Sequence, residues 1–150
     1  MIRYVLLIAL VVSFSSCSKR KAKKQAKEDE EIIQKYISDN KLNAIATGSG
    51  LYYVMSTTGI GVNPSISSNV TVVYSGYFTD GSTFDQSSSS GISFDLSSVI
   101  KGWQEGIPYF KKGGKGILII PSALGYGPSG TSGIPPNSVL VFNIHLLDVK

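Results

Sequence analysis

From Leu51 onward, apolar side chains recur at every second residue, the period of a strand with one buried face. Leu51, Tyr53 and Met55 alternate with Tyr52 and Val54. Val70 to Phe78 is β-branched and aromatic, and Asp80-Gly81 after it marks a hairpin turn, because glycine accepts the positive φ that tight hairpins need. The return strand begins at Ser82-Thr83-Phe84-Asp85. Ser87 to Gly91 is a polar break, read as a loop or bulge, and alternation resumes from Ile92 to Leu96. Val99 to Ile107 abandons the two-residue period and predicts a short helix closed by Gly106 and Pro108. Gly113-Gly114 is a turn, and Ile117 to Ile120 is a buried strand ended by Pro121. A Gly/Pro-rich loop covers residues 125–137. Val139 to Val149 is the last strand. Leu140, Phe142, Ile144 and Leu146 share one face; Val141, Asn143, His145 and Leu147 share the other.

These elements predict an α+β domain. About five strands and one short helix share a core, with a curved antiparallel sheet wrapped around the helix. Strand and helix do not alternate repeatedly, so an α/β fold is excluded. Residues 49–150 number 102, enough for one independent core.

The upstream third follows a different pattern. From Ala26 to Asp39 the period is helical, with Ile33, Tyr36 and Ile37 on one stripe and Asp39-Asn40 as the stop. So short a stripe does not make a coiled coil; the helix either docks on the domain or stays loose. Residues 18–31 carry six basic side chains followed by four acidic ones. They read as a solvated tether, or as a basic block drawn to anionic headgroups. Arg3, the apolar run Tyr4 to Val12 and the small residues after it describe a secretory signal, and the run is far short of the roughly 20 residues that span a bilayer. Phe14-Ser15-Ser16-Cys17 resembles a bacterial lipobox, whose cleavage leaves the cysteine first and lipidated, although Phe14 departs from the usual residue there. An ordinary signal with a stray cysteine is the alternative. The expected division is a signal over 1–16, a lipid-anchored tether over 17–48 and a domain over 49–150.

Charge and composition remove several classes of function. The net charge is +4, and residues 1–48 hold all of it, with 9 basic and 5 acidic side chains. Residues 49–150 carry five of each sign, so the domain has no electrostatic footprint for nucleic acid. One cysteine and one histidine exclude an internal disulfide framework and a multi-histidine or zinc-finger metal site. There is no G-x-S-x-G elbow, and Gly125-Tyr126-Gly127 lacks the strand–glycine–helix context of a phosphate loop. The acids show no pairing suited to glycosidase chemistry. What remains is a set of aromatics beside glycine turns: Tyr74, Phe84, Phe94, Trp103, Tyr126 and Phe142. They line an apolar pocket or are simply core; Phe78 and Tyr53 are assigned to core.

Four segments carry a resemblance: VVYSGYFTDGSTFD, VIKGWQEGIPYFKKGGKG, IPSALGYG and GIPPNSVLVFNIHLLDV. In this order and spacing, over residues 49–149, they resemble the FKBP-type peptidyl-prolyl cis-trans isomerases. The leader, Cys17 and the charged helix resemble the membrane-anchored bacterial members, which implies a cell-envelope lipoprotein facing the periplasm or exterior. The resemblance implies a twisted antiparallel sheet around one helix, no cofactor and no metal. It implies proline-containing, unfolded or partly folded exported proteins as clients, a membrane reached through the lipid anchor, and macrolides as possible ligands. By position, Tyr74 matches the family's strand tyrosine, Phe84 and Asp85 its F-D pair, and Phe94 its F-x-L aromatic. Val99, Ile100 and Trp103 match V-I-x-G-W, Tyr126 the Y-G tyrosine, Ile134 the I-P-P isoleucine and Phe142 the last aromatic. The implied roles make Trp103 the floor, with Tyr74, Phe84, Val99, Ile100 and Phe142 as walls. The Ile100 N–H and Tyr126 hydroxyl donate to substrate carbonyls, and Asp85 orients the site. Three departures stand out: Gly91 or Ile92 where a proline is usual before Phe94, Asn143 in place of an acid, and a short loop from Pro128 to Gly133. A proline-peptide-binding module or holdase with little isomerase activity, and a purely structural lipoprotein, remain as other readings.

Overall fold

The computed structural model describes the backbone of residues 2–150 and the side chains of residues 18–150. The expected signal over 1–16 and the expected lipid-attachment residue Cys17 lie outside the residues with described side chains. Helix α1 is Ile2–Asp39. The strands are β1 Ile45–Ala46, β2 Tyr52–Thr57, β3 Asn69–Tyr77, β4 Thr83–Gln86, β5 Ile92–Asp95, β6 Lys115–Ile120 and β7 Leu140–Val149, and the short helix α2 is Lys101–Gly106. Among the described residues no helix is long and apolar enough to cross a membrane.

All the strand pairs are antiparallel, in the order β1-β2-β6-β7-β3-β4. β5 extends the same edge as β4: Ser75 to Tyr77 of β3 pairs with β4, and Asn69 to Val72 pairs with β5. The polar break lies between them, where the Ser87 N–H donates to Tyr74 O and Ser87 Oγ accepts the Tyr74 N–H, each at 3.0 Å. The sheet therefore has seven strands, not about five. The break splits the return strand in two. The two-residue β1, which lies before position 49, is too short to show a period.

The period-two pattern divides the sheet into two buried faces. Val70, Val72, Leu118, Ile120, Leu140, Phe142, Ile144 and Leu146 pack with α2 residues on the inner face. Ile119, Val139 and Val141 pack on the outer face with Ile33 of α1. That second layer explains why Val141 is buried while Asn143, on the same face of β7, is exposed.

The short helix differs from its expected bounds. Ile100 is still extended (φ −57°, ψ 150°), so the helix starts at Lys101. Gly106 is its last residue, and Pro108 sits in the following 3-10 turn, Ile107–Tyr109. The α-helix thus ends at Gly106, as expected, and Pro108 is accommodated in the first turn of the 3-10 segment, where its missing N–H costs nothing. Gly102 and Gly106 also let the helix backbone meet the sheet. A Cβ at Gly102 would lie 2.7 Å from Ile120 Cδ1, and one at Gly106 would lie 2.7 Å from Leu118 Cδ1.

Helix α1 begins upstream of the expected Ala26. Its charged run is helical, with Lys24–Glu28 and Lys27–Glu31 pairs one turn apart at 3.4 and 3.7 Å. It docks through Ile33, which is 0% exposed, with Tyr36 and Ile37 beside it. The Tyr52 hydroxyl donates to Glu30 Oε1 at 2.7 Å, and that bond, ahead of burial, raises the Tyr52 pKa. Tyr36 and Tyr77 meet hydroxyl to hydroxyl at 3.4 Å.

Candidate active site

The inner face of the sheet opens into a cavity of about 550 Å³ at the start of α2. β3 contributes Tyr74, β4 Phe84 and Asp85, β5 Phe94, α2 Trp103, and β7 Phe142. Val99 and Ile100 line it from the extended stretch before α2, and Tyr126 and Ile134 come from the loop between β6 and β7. Every pocket residue expected from the sequence reaches this one cavity.

Trp103 lines the cavity and is only 5% exposed. The close approach at Gly102 and Gly106 brings α2 onto the sheet and sets the indole among the strand aromatics. Tyr74 meets it edge-on at 5.0 Å and 84°, and Phe142 at 5.2 Å and 81°. Phe94 tilts over it at 5.4 Å. Such edge-to-face pairs match positive ring edges to negative ring faces. The indole N–H is buried with no acceptor among the described residues.

Gly76 makes the second wall possible. Phe84 and Phe142 pack edge to face at 5.5 Å across its strand. A Cβ at Gly76 would stand 2.7 Å from Phe84 Cζ and 2.8 Å from Phe142 Cε1. Phe78, assigned to core, backs Phe84 at 4.9 Å; Tyr53 stacks on Tyr109 at 4.5 Å. Neither lines the cavity.

The polar groups are few. The Tyr74 hydroxyl donates to Asp85 Oδ2 at 2.6 Å. Burial first, then this bond, pushes the Tyr74 phenol up to about 12. Tyr126 is 39% exposed at the rim. The Ile100 carbonyl accepts the N–H groups of Trp103 and Gln104 at 3.0 and 3.1 Å, while no acceptor for the Ile100 N–H occurs among the described residues. His145 lies outside this cavity, on the opposite face, where burial and then Lys115 lower its pKa. Among the described residues no three His, Cys, Asp or Glu side chains group to hold a metal.

Ile92, Ser98, Thr131 and Ser132 also line the cavity and were not expected. Ser98 is brought there by the turn before α2, and Thr131 and Ser132 by a small hairpin in which Thr131 and Ile134 exchange backbone hydrogen bonds at 2.9 Å. No sequence period marks such turns.

The chamber is a largely hydrophobic slot whose lining includes Ile100 and the hydroxyl-bearing Tyr74 and Tyr126. Among the described residues its lining holds no His, Cys or Lys, and its one acid, Asp85, accepts the Tyr74 hydroxyl. It suits an extended apolar ring with neighbouring carbonyls.

Residues 61–147 match the family model for FKBP-type peptidyl-prolyl cis-trans isomerase. The FKBP-type peptidyl-prolyl cis-trans isomerase FkpA of Escherichia coli strain K12 is 41% identical over 96% of this chain and 55% of that protein. A probable FKBP-type peptidyl-prolyl cis-trans isomerase of Haemophilus influenzae is 38% identical over 95% of this chain and 60% of that protein. The chain thus spans little more than half the length of these relatives. The crystal structure of FkpA from Escherichia coli superposes with a TM-score of 0.75 at 40% identity, covering 96% of this chain and 70% of that one. The crystal structure of AtFKBP13 gives 0.67 at 31% identity, covering 72% and 99%.

Proposed function

The chain belongs to the FKBP-type peptidyl-prolyl cis-trans isomerase family, and on that premise we propose that its cavity accelerates rotation about X–Pro bonds. The supporting observation is that the aromatic walls, Ile100 and Tyr126 all line one chamber.

Rotation about a peptide bond faces about 18–20 kcal/mol, because the C–N bond is partly double. X–Pro bonds visit both isomers but exchange in tens to hundreds of seconds, slow enough to limit folding. The reaction breaks no bond. In the twisted amide the nitrogen has lost conjugation and the dipole has shrunk. A dry aromatic chamber disfavours the more polar planar amide, so twisting costs relatively less there. Lowering the barrier by about 6 kcal/mol gives on the order of 10⁴-fold.

In this reading the proline ring rests on Trp103, between Tyr74, Phe84, Val99, Ile100 and Phe142, with Phe94 and Ile134 closing the sides. The Ile100 N–H and the Tyr126 hydroxyl hold substrate carbonyls. Asp85, held by Tyr74, orients the site. The substrates are proline-containing, unfolded or partly folded exported proteins, and macrolides of the type that family members bind would compete for the slot. Cys17, after the apolar leader, is the lipid attachment point, which puts the domain over 49–150 at the cell envelope on a charged tether.

The test is isomerisation of a proline peptide by the full chain, with and without a macrolide. Catalysis inhibited by the macrolide supports the reading. Peptide binding without catalysis would make the domain a binding module or holdase, and neither would leave a structural protein.

A further inference from the structure

We propose that α1 is a positioning element of the active site, and that Asp29 is the positioning residue that sets the loop carrying Tyr126; the catalytic half of this rests on the isomerase reading. After β6 the chain turns at Pro121 into a 3-10 turn, Ser122–Leu124, and Gly125 leads directly to Tyr126. A helical turn opens with N–H groups that have no partner of their own. Pro121, at the cap position, has no side-chain acceptor to offer.

Asp29 supplies that acceptor from 93 residues upstream. Its Oδ2 accepts the Ser122 N–H at 2.8 Å and the Ser122 Oγ–H at 2.6 Å. Its Oδ1 accepts Gln25 Nε2 at 2.8 Å. Asp29 and Ser122 are each 1% exposed, and they are the buried polar pair among the described residues. A carboxylate leaves water at large cost unless its oxygens are hydrogen-bonded, so the contact is all-or-none: it holds while α1 is docked through Ile33.

The rest of the loop is fixed from its far side. The Asn137 N–H donates to Gly127 O at 2.9 Å, and Gly125 lies against Leu140, whose Cδ1 would be 3.1 Å from a Cβ there. The Asp29 contact fixes the near side. Tyr126 sits between the two, exposed at the rim, and its direction follows the loop.

The test uses the full chain, with amide hydrogen exchange read residue by residue and kcat/KM measured for a proline peptide. Asp29→Ala should speed exchange from Ser122 to Gly127 about 10-fold or more, while β7 is unchanged. It should lower kcat/KM roughly 3- to 10-fold, but by less than about 2-fold in a Tyr126→Phe background, because both changes act through one hydroxyl. Asp29→Asn, which keeps an acceptor, should recover most of the loss. Tyr52→Phe, which removes another α1 contact, should leave the loop unchanged. Unaltered loop exchange in Asp29→Ala, or an equal loss in both backgrounds, overturns the proposal. If Asp29→Ala also loosens β7, Ser122→Pro decides, because it removes both the N–H and the hydroxyl that Asp29 holds and is tolerated at the start of a helical turn: no change in loop exchange overturns the proposal. If the wild type has no isomerase activity, the functional reading falls and loop exchange alone decides this one.

Discussion

The Tyr74 hydroxyl donates to Asp85 Oδ2 at 2.6 Å, joining β3 to β4 at the cavity wall. The Asp85 carboxylate is thereby held in place by its neighbour on β3. Burial and this bond push the Tyr74 phenol up to about 12. A folded pKa above the ordinary value near 10 means that Tyr74 stabilises the fold fully below pH 10 and loses that contribution as pH rises through about 12. Tyr52 and Tyr77 are raised as well, so ultraviolet titration should show one fewer late tyrosine in Tyr74→Phe than in wild type. If the two proteins titrate alike, the Tyr74–Asp85 bond is absent.

Gly76→Ala should destabilise the domain by about 1–3 kcal/mol, the usual cost of overpacking. The new methyl would stand under 3 Å from the rings of Phe84 and Phe142. Both rings line the cavity, so peptide binding should weaken as well. Denaturant melts and a binding isotherm check the two effects together.

Tyr126→Phe removes one hydroxyl at the rim and should cost about 0.5–1.5 kcal/mol, or roughly 2- to 12-fold in kcat/KM. Phe142→Ala should cost more, because it opens a hole beside Trp103 as well as removing a wall. A ligand entering the slot should change the fluorescence of Trp103, the sole tryptophan. Saturating ligand that leaves the emission untouched places the binding site elsewhere.

The parts of the fold legible in the sequence were those governed by local period. β3 and β7 alternate because one face of each is buried against α2, and their bounds follow from that alternation. The apolar stripe by which α1 docks, Ile33, Tyr36 and Ile37, was legible as a stripe, with docking one of two outcomes, but its polar anchor was not. That anchor is Asp29 meeting Ser122, far away in sequence, and an acid within a run of four carries no sign that one of them is buried. Gly102 and Gly106 show the same limit. Gly106 read only as the end of the helix and Gly102 carried no signal, whereas both are also contact points with Leu118 and Ile120. The pocket residues came from matching motifs, and the cavity contains them all. Ser98, Thr131 and Ser132 were missed because turns, not periods, carry them there.

Burial lowers the His145 pKa below its ordinary 6.5, with Lys115 adding to the effect. The unfolded chain then binds the proton more tightly. His145 contributes stability fully above pH 6.5, and that contribution is lost as pH falls through its lower folded value. Wild type should therefore lose more stability than His145→Gln between about pH 7 and pH 5. Parallel urea melts at the two pH values measure the difference. Equal losses would mean that His145 is as well solvated folded as unfolded.

The most direct test of the mechanism is the dependence of kcat/KM on pH between about 6 and 8, for a proline peptide, in wild type and His145→Ala. His145 lies outside the cavity and desolvation moves no proton, so both profiles should be flat to within about a factor of two. A bell-shaped profile in wild type that disappears in His145→Ala would put acid–base chemistry at the centre and contradict the account.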